Sequence, residues 1–320
     1  MKINLSKMMF ITMTMISSIM TMSSNNVMMT WMTMEINMIS FMPLMTKSKK
    51  MKDQPMKYFI IQSIASSLML MSMMVNSILE SSPSSSTTLL ASMLMKMGMI
   101  PFHLWMPSTM QKLSWNKCFI LSTIQKIPPT IIMTQMMKTN LLIMPMMLSS
   151  VLGPMTALKQ LSLKKIMAYS SIANSTWIIL SMKMSKQMFM IFFLTYSTIT
   201  MMLMKNMKTN KFNFTNQLNL YKNSKKLSMS MNMMSMSGMP PLLGFFPKWM
   251  ILQNLINSSM IMSTTMIISS TISTMVYIKM MSTMMMNMST TKKTKKEKTK
   301  KELDLMINLI GIPMMLTTKI

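Results

Sequence analysis

Arginine is absent from this chain of 320 residues, and all 33 basic residues are lysine. Acid is nearly missing as well: the six carboxylates are Glu35, Asp53, Glu80, Glu297, Glu302 and Asp304. Cys118 is the single cysteine and His103 the single histidine. A lone cysteine excludes a disulfide framework, and one cysteine with one histidine cannot by themselves build a zinc or iron–sulfur site. Glycine is scarce, at five residues, and neither G-x-G-x-x-G nor a P-loop occurs, so no nucleotide site is legible. Any redox centre that serves this chain must sit on other chains. Charged residues make up 12% of the total, about half the roughly 25% of a soluble domain.

What fills the space is apolar. Half of the residues are hydrophobic, and 62 are methionine. A net charge of +27 would suit nucleic acid. The lysines, however, lie between apolar runs rather than on a basic face with aromatic partners, so nucleic-acid binding is excluded. The runs approach the roughly 20 residues that cross a bilayer. The expectation is an all-α polytopic membrane protein with eleven spans near 8–23, 27–46, 57–79, 87–106, 117–136, 140–160, 166–182, 187–205, 227–257, 260–281 and 303–318. The first run resembles the apolar core of a signal peptide. It ends in Ser23, Ser24, Asn25 and Asn26 without a small-residue cleavage site, so a retained span is expected.

The lysines test that count. The N-terminus and the even-numbered connections carry Lys2 and Lys7, the cluster from Lys47 to Lys57, Lys112 and Lys117, and Lys159 to Lys165. They continue with Lys205 to Lys226, Lys279, and the run from Lys292 to Lys301. The odd connections and the C-terminus hold Lys138, Lys183, Lys186 and Lys319. Basic residues accumulate in loops on the inner side, so the N-terminus is expected inside and the C-terminus outside. The run of lysines at 292–301 reads as a solvated loop, with contact to acidic lipid headgroups as the alternative.

Four ionisable side chains remain at membrane depth: Glu35, Lys96, Lys126 and Lys248. The lysines lie beside helix breakers. Lys96 precedes Gly98 and Pro101, Lys126 precedes Pro128 and Pro129, and Lys248 follows Pro240, Pro241 and Gly244. Proline removes a backbone donor and interrupts a helix. Broken backbone at membrane depth persists where it faces protein or a water-lined cavity. The breaks in the fourth and ninth spans are five spans apart, so those helices run in opposite directions. That points to two inverted five-helix repeats, near 8–136 and 140–281, followed by a last helix at 303–318, all within one integral membrane domain.

Five stretches carry a family resemblance: WMTMEINMISFMPL (31–44), KYFIIQSIASS (57–67), KMGMIPFHLWMP (96–107), LKKIMAYSSIANSTW (163–177) and SGMPPLLGFFPKW (237–249). In this order they resemble the NADH dehydrogenase subunit 2 family, the antiporter-like subunits of mitochondrial complex I. The methionine content is similar to that of mitochondrially encoded arthropod proteins. The resemblance implies a multi-pass protein of the mitochondrial inner membrane, among other membrane-arm subunits and inner-membrane lipids in a hetero-oligomer. It implies no cofactor or metal on this chain, with NADH, FMN, iron–sulfur clusters and ubiquinone on other subunits. It also implies that Glu35, Lys96, Lys126 and Lys248 form a proton-relaying charge row, with His103 secondary to them. Two departures stand out. Asn174 occupies a place where relatives often carry histidine, and an amide cannot change charge near neutral pH. Pro55 just before the third span is also unusual.

The chemistry requires groups that change charge cheaply. Lysine in water keeps its proton to a pKa near 10.4, and loss of water around it brings that value down. Opening and closing a Glu35–Lys96 pair would release and recapture a proton. Each residue also has a plainer reading. Lys96 pairs structurally with Glu35, Lys126 anchors the Pro128–Pro129 break, Lys248 reaches an interface, and His103 hydrogen-bonds to broken backbone. Two other functions stay open at this point: a stand-alone cation/proton antiporter, and an assembly subunit without a proton path of its own.

Overall fold

A computed structural model of the chain describes residues 5–24, 26–46, 53–79, 83–136, 139–220, 223–285 and Asn308. Apart from Asn308, the expected last span lies outside the described residues, as does the lysine run before it. The helices are α1 (Leu5–Ser23), α2 (Val27–Met45), α3 (Asp53–Leu79), α4 (Pro83–Met97), α5 (Trp105–Lys112), α6 (Trp115–Ser122) and α7 (Ile127–Met136). They continue with α8 (Thr139–Leu158), α9 (Leu163–Met184), α10 (Lys186–Thr209), α11 (Asn223–Ser237), α12 (Phe245–Ser258) and α13 (Met260–Met285). Short 3-10 turns cover Ile124–Lys126 and Thr215–Leu220. Among the described residues there is no strand beyond an isolated bridge between Ser162 and Phe214.

Three expected spans are each two helices. The fourth divides into α4 and α5, and the ninth into α11 and α12, at the glycine–proline segments the sequence marks. The fifth divides into α6 and α7. Its break falls before the prolines: Pro128 and Pro129 lie in the first turn of α7, where a missing N–H costs nothing. Five helices are long and apolar enough to cross a membrane: Leu5–Ser23, Asp53–Val75, Leu141–Leu158, Lys186–Thr209 and Met260–Met285.

The chain forms two compact units, Met1–Ser149 and Ser150–Ile320. In the first, α1 packs on α2, α2 on α3, α3 on α4, and α7 touches α1 and α4. The buried face of α1 is Thr14, Ser17, Ser18 and Thr21. Its exposed face carries Met8, Met9, Ile16, Ile19 and Met20. That is the reverse of a water-soluble helix, and it suits lipid outside with small residues at the helix contact. Thr14, Ser17, Ser18 and Thr21 each donate to the carbonyl three residues earlier, so no hydroxyl proton is left over in the seam.

In the second unit α9 is the central helix, buried without interruption from Ser170 to Ser181. Helices α10 and α12 pack on it, and α13 packs on α11 and α12. Trp177 of α9 stacks on Phe192 of α10 with ring centroids 6.5 Å apart. The C-terminal end of α8 comes close to α9 at Gly153, where an added Cβ would lie 3.2 Å from the Tyr169 carbonyl. One end of this unit is tied by polar contacts. Leu163 N–H donates to Asn213 O at 2.9 Å, Thr215 N–H to Leu161 O at 3.0 Å, and Lys279 Nζ to Leu158 O at 3.0 Å.

Candidate functional site

The break between α4 and α5 starts at Gly98. Its φ of +66° suits a residue without a Cβ. Gly98 N–H donates to Met95 O, and Met99 N–H to Leu94 O. These two bonds make a Schellman ending, which satisfies carbonyls the helix would leave orphaned. The Trp105 indole donates to Met95 O at 3.0 Å, and Gln62 reaches Lys96 O at 3.4 Å. The free end of α4 is thus closed by side chains from α5 and α3. Lys96 lies in the last turn of α4, where the helix dipole favours a cation.

The break between α11 and α12 is built the same way. Gly238 has φ +82°. Its N–H donates to Ser235 O and Met234 O, and Met239 N–H donates to Met234 O. Proline follows three residues after the glycine in both: Gly98 to Pro101, and Gly238 to Pro241. Here, however, the lysine comes from the other half-helix. Lys248, in the first turn of α12, folds back and donates to Ser237 O at 2.8 Å and Met236 O at 3.3 Å. Its ammonium lies 5.8 Å from the centre of the Trp177 ring. At 8% exposure it does not reach an interface. Gly238 permits this approach, because a Cβ there would stand 2.9 Å from Lys248 Cδ and 3.0 Å from Nζ. Gly244 is as constrained: a Cβ there would collide with the Ser235 carbonyl oxygen.

In the first unit Lys96 and Lys126 line one cavity of about 30 Å³, together with Asn37, Tyr58, Gln62 and Gln125. Tyr58 donates to Gln125 Oε1 at 3.3 Å, and Gln125 Nε2 donates to Asn37 Oδ1 at 2.8 Å. Lys126 is buried at 2% exposure, in the 3-10 turn that separates α6 from α7. Lys96 is part-buried, and its Nζ stands 4.0 Å from Met34 Sδ. Glu35 is part-buried on α2 and within electrostatic reach of Lys96 and Tyr58. No Glu35–Lys96 ion pair within 4 Å occurs among the described residues, so the pair stands open. His103 Nδ1 lies 3.3 Å from Pro101 O, beside the broken backbone.

The structure adds polar residues the sequence reading did not single out: Asn37, Tyr58, Gln62 and Gln125 around the first cavity, and Trp177 against Lys248. Their signal was present, as polar or aromatic residues inside apolar spans, but the same is true of dozens of serines and threonines. Among the described residues no three His, Cys, Asp or Glu side chains come together as a metal site.

Comparison with known proteins decides the family. The family model described as NADH:quinone oxidoreductase/Mrp antiporter, transmembrane, matches residues 24–274. The chain belongs to this family. Among its relatives is NADH-ubiquinone oxidoreductase chain 2 of Locusta migratoria, 36% identical over 285 residues, covering 86% of this chain and 83% of the relative. The protein of the same name from Xenopus laevis is 34% identical over 276 residues, covering 81% and 80%. The fold of this family member is also similar to a chain in the structure of respiratory complex I from Thermus thermophilus, with a TM-score of 0.81 at 18% identity, covering 98% of this chain and 77% of that one. It resembles a chain of the Mrp complex from Dietzia sp. DQ12-45-1b, with a TM-score of 0.73 at 12% identity, covering 85% and 59%.

Proposed function

We propose that this chain is the antiporter-like, proton-translocating membrane-arm subunit of the respiratory NADH:ubiquinone oxidoreductase. It works in the mitochondrial inner membrane beside other membrane-arm subunits and lipids. Electrons pass through NADH, FMN, iron–sulfur clusters and ubiquinone held elsewhere in the complex, and this chain moves protons. The observation that carries the reading is the placing of Lys96 and Lys248 at the C-terminal ends of two half-helices. Each ammonium is held by helix carbonyls or their dipole rather than by a carboxylate. A lysine held in that way is charged without a permanent counter-ion, so a shift of water or of a nearby charge changes its proton affinity.

Four residues have roles in this reading. Glu35 modulates Lys96 across an open gap, Lys96 and Lys126 exchange protons through their shared cavity, and Lys248 forms the far station. The matching Gly-x-x-Pro breaks support two inverted five-helix repeats in one integral membrane domain, with the segment near 303–318 as a helix outside them. The lysine distribution supports an N-terminus in the matrix and a C-terminus in the intermembrane space.

The test is Lys96→Met in the assembled complex. The volume is kept and the charge removed. Proton translocation per electron pair is expected to fall, while NADH oxidation by an artificial acceptor continues. An unchanged stoichiometry sinks the relay.

A further inference from the structure

Three small cavities of the second unit adjoin one another. The first lies beside Lys248, has a volume of about 20 Å³, and is lined also by Asn174, Thr195 and Tyr196. The second, also about 20 Å³, is lined by Asn174, Ser170, Ser269, Ser273 and Tyr277. The third, about 30 Å³, is lined by Gln160, Thr215, Lys279 and Thr283. Asn174 and Met236 wall both the first and the second. Ala157 and Val276 wall both the second and the third. Each cavity has the volume for a water molecule, which needs about 10–15 Å³ and two to four polar partners.

The middle cavity supplies those partners. Ser170, Ser269 and Ser273 spend their hydroxyl protons on the carbonyls of Met167, Met266 and Ser270, which leaves their oxygens as acceptors. The hydroxyl of Tyr277, a residue 3% exposed, is buried beside Ser170 and makes no hydrogen bond of ordinary geometry among the described residues. A buried hydroxyl without a protein partner costs about 1–3 kcal/mol unless water meets it. The Asn174 side chain likewise makes no hydrogen bond among the described residues, and its amide offers both a donor and acceptors. At the outer end, Lys279 is exposed and its ammonium closes the C-terminus of α8 at Leu158 O.

We propose that a water-filled branch joins Lys248 to the surface at Lys279, running past Asn174 and Tyr277. Tyr277 is the transferring group. Its hydroxyl gives its proton to a water on one side as it accepts one from a water on the other, so it carries a proton without staying ionised. Asn174 is a positioning residue that orders water between the first two cavities. Ala157 and Val276 form an apolar narrowing between the second and third. The branch opens at the end that also carries Lys159, Lys164 and Lys211, the end the lysine distribution assigns to the matrix. Lys248 thereby has a proton source within its own unit. This inference rests on the relay reading of Lys248.

Two measurements on the assembled complex test it. Tyr277→Phe keeps the ring and deletes a hydroxyl that faces the Ser170 side chain, so a purely structural role predicts normal pumping by the assembled complex. The branch predicts normal assembly with loss of proton translocation per electron pair, and a similar loss in Asn174→Leu. Second, density maps that resolve ordered water should place water in the cavities on both sides of Asn174. Full pumping by Tyr277→Phe, or dry cavities, overturns the branch. Full pumping by Lys248→Met overturns the relay reading instead, and the presence of water is read independently of it.

Discussion

The Lys248 ammonium donates to the Ser237 carbonyl at 2.8 Å, and so closes the end of a helix it does not belong to. Lys96 stands at the matching helix end as a member of that helix. In both cases a positive charge meets the negative end of a helix dipole. The two breaks thus share an electrostatic design with different chain routes to it.

Gly238→Ala tests that design. A Cβ would meet Lys248 Cδ at 2.9 Å, at a φ of +82°. The left-handed conformation costs an L-residue about 1–2 kcal/mol, and the lysine must also move off its carbonyls. The expected outcome is a lower unfolding temperature of the complex and reduced translocation. An unaltered protein would show that Lys248 is not held where the geometry places it.

Lys248→Met separates charge from volume. Two carbonyls, Ser237 and Met236, lose charged donors. Hydrogen bonds to a charged group are worth about 1.5–3 kcal/mol each, offset in part by the lysine's own desolvation. The complex is expected to assemble with lower thermal stability and to lose translocation through this chain.

Gln125→Met tests the first cavity. Gln125 is the link between Tyr58 and Asn37, at 3.3 and 2.8 Å. Removing it leaves the buried Asn37 amide without that partner, a cost of about 1–3 kcal/mol. Thermal stability should fall, and proton exchange between Lys96 and Lys126 should slow. Translocation assays and melting curves on the same preparation read both effects.

Asn174→His places a titratable imidazole in a cavity shared with Lys248. Protonated imidazole and ammonium repel each other. Translocation should therefore hold at neutral and high pH and decline only in acid, below the range of a free imidazole, a limb absent in the unmodified chain. An identical pH profile for the two proteins would place Asn174 outside the path.

Much of this was written locally. Gly98 with Pro101 and Gly238 with Pro241 mark the breaks, because proline cannot donate and glycine alone takes the left-handed turn readily. Charges at Glu35, Lys96, Lys126 and Lys248 stand out because charge inside an apolar run has no cheap resting place. The fifth span was harder. Pro128 and Pro129 look like breakers, yet they open α7, and the break lies at the 3-10 turn ahead of them.

The sequence by itself determined that the chain is helical and apolar, and where two of its three broken spans break; it placed Lys126 and Lys248 among the buried charges but set Lys226, which is fully buried, in a connection. It could not tell which face of α1 turns inward, since methionine lies on every side and serine or threonine satisfies its own hydroxyl wherever a helix puts it. Tertiary structure alone decided that Lys96 and Lys126 share a cavity, that Lys248 closes α11, and that Tyr277 is buried beside Ser170 on the wall of a water-sized cavity. These are relations between residues 11 to 107 positions apart. Periodicity and propensity act over a few turns, and packing decides the rest.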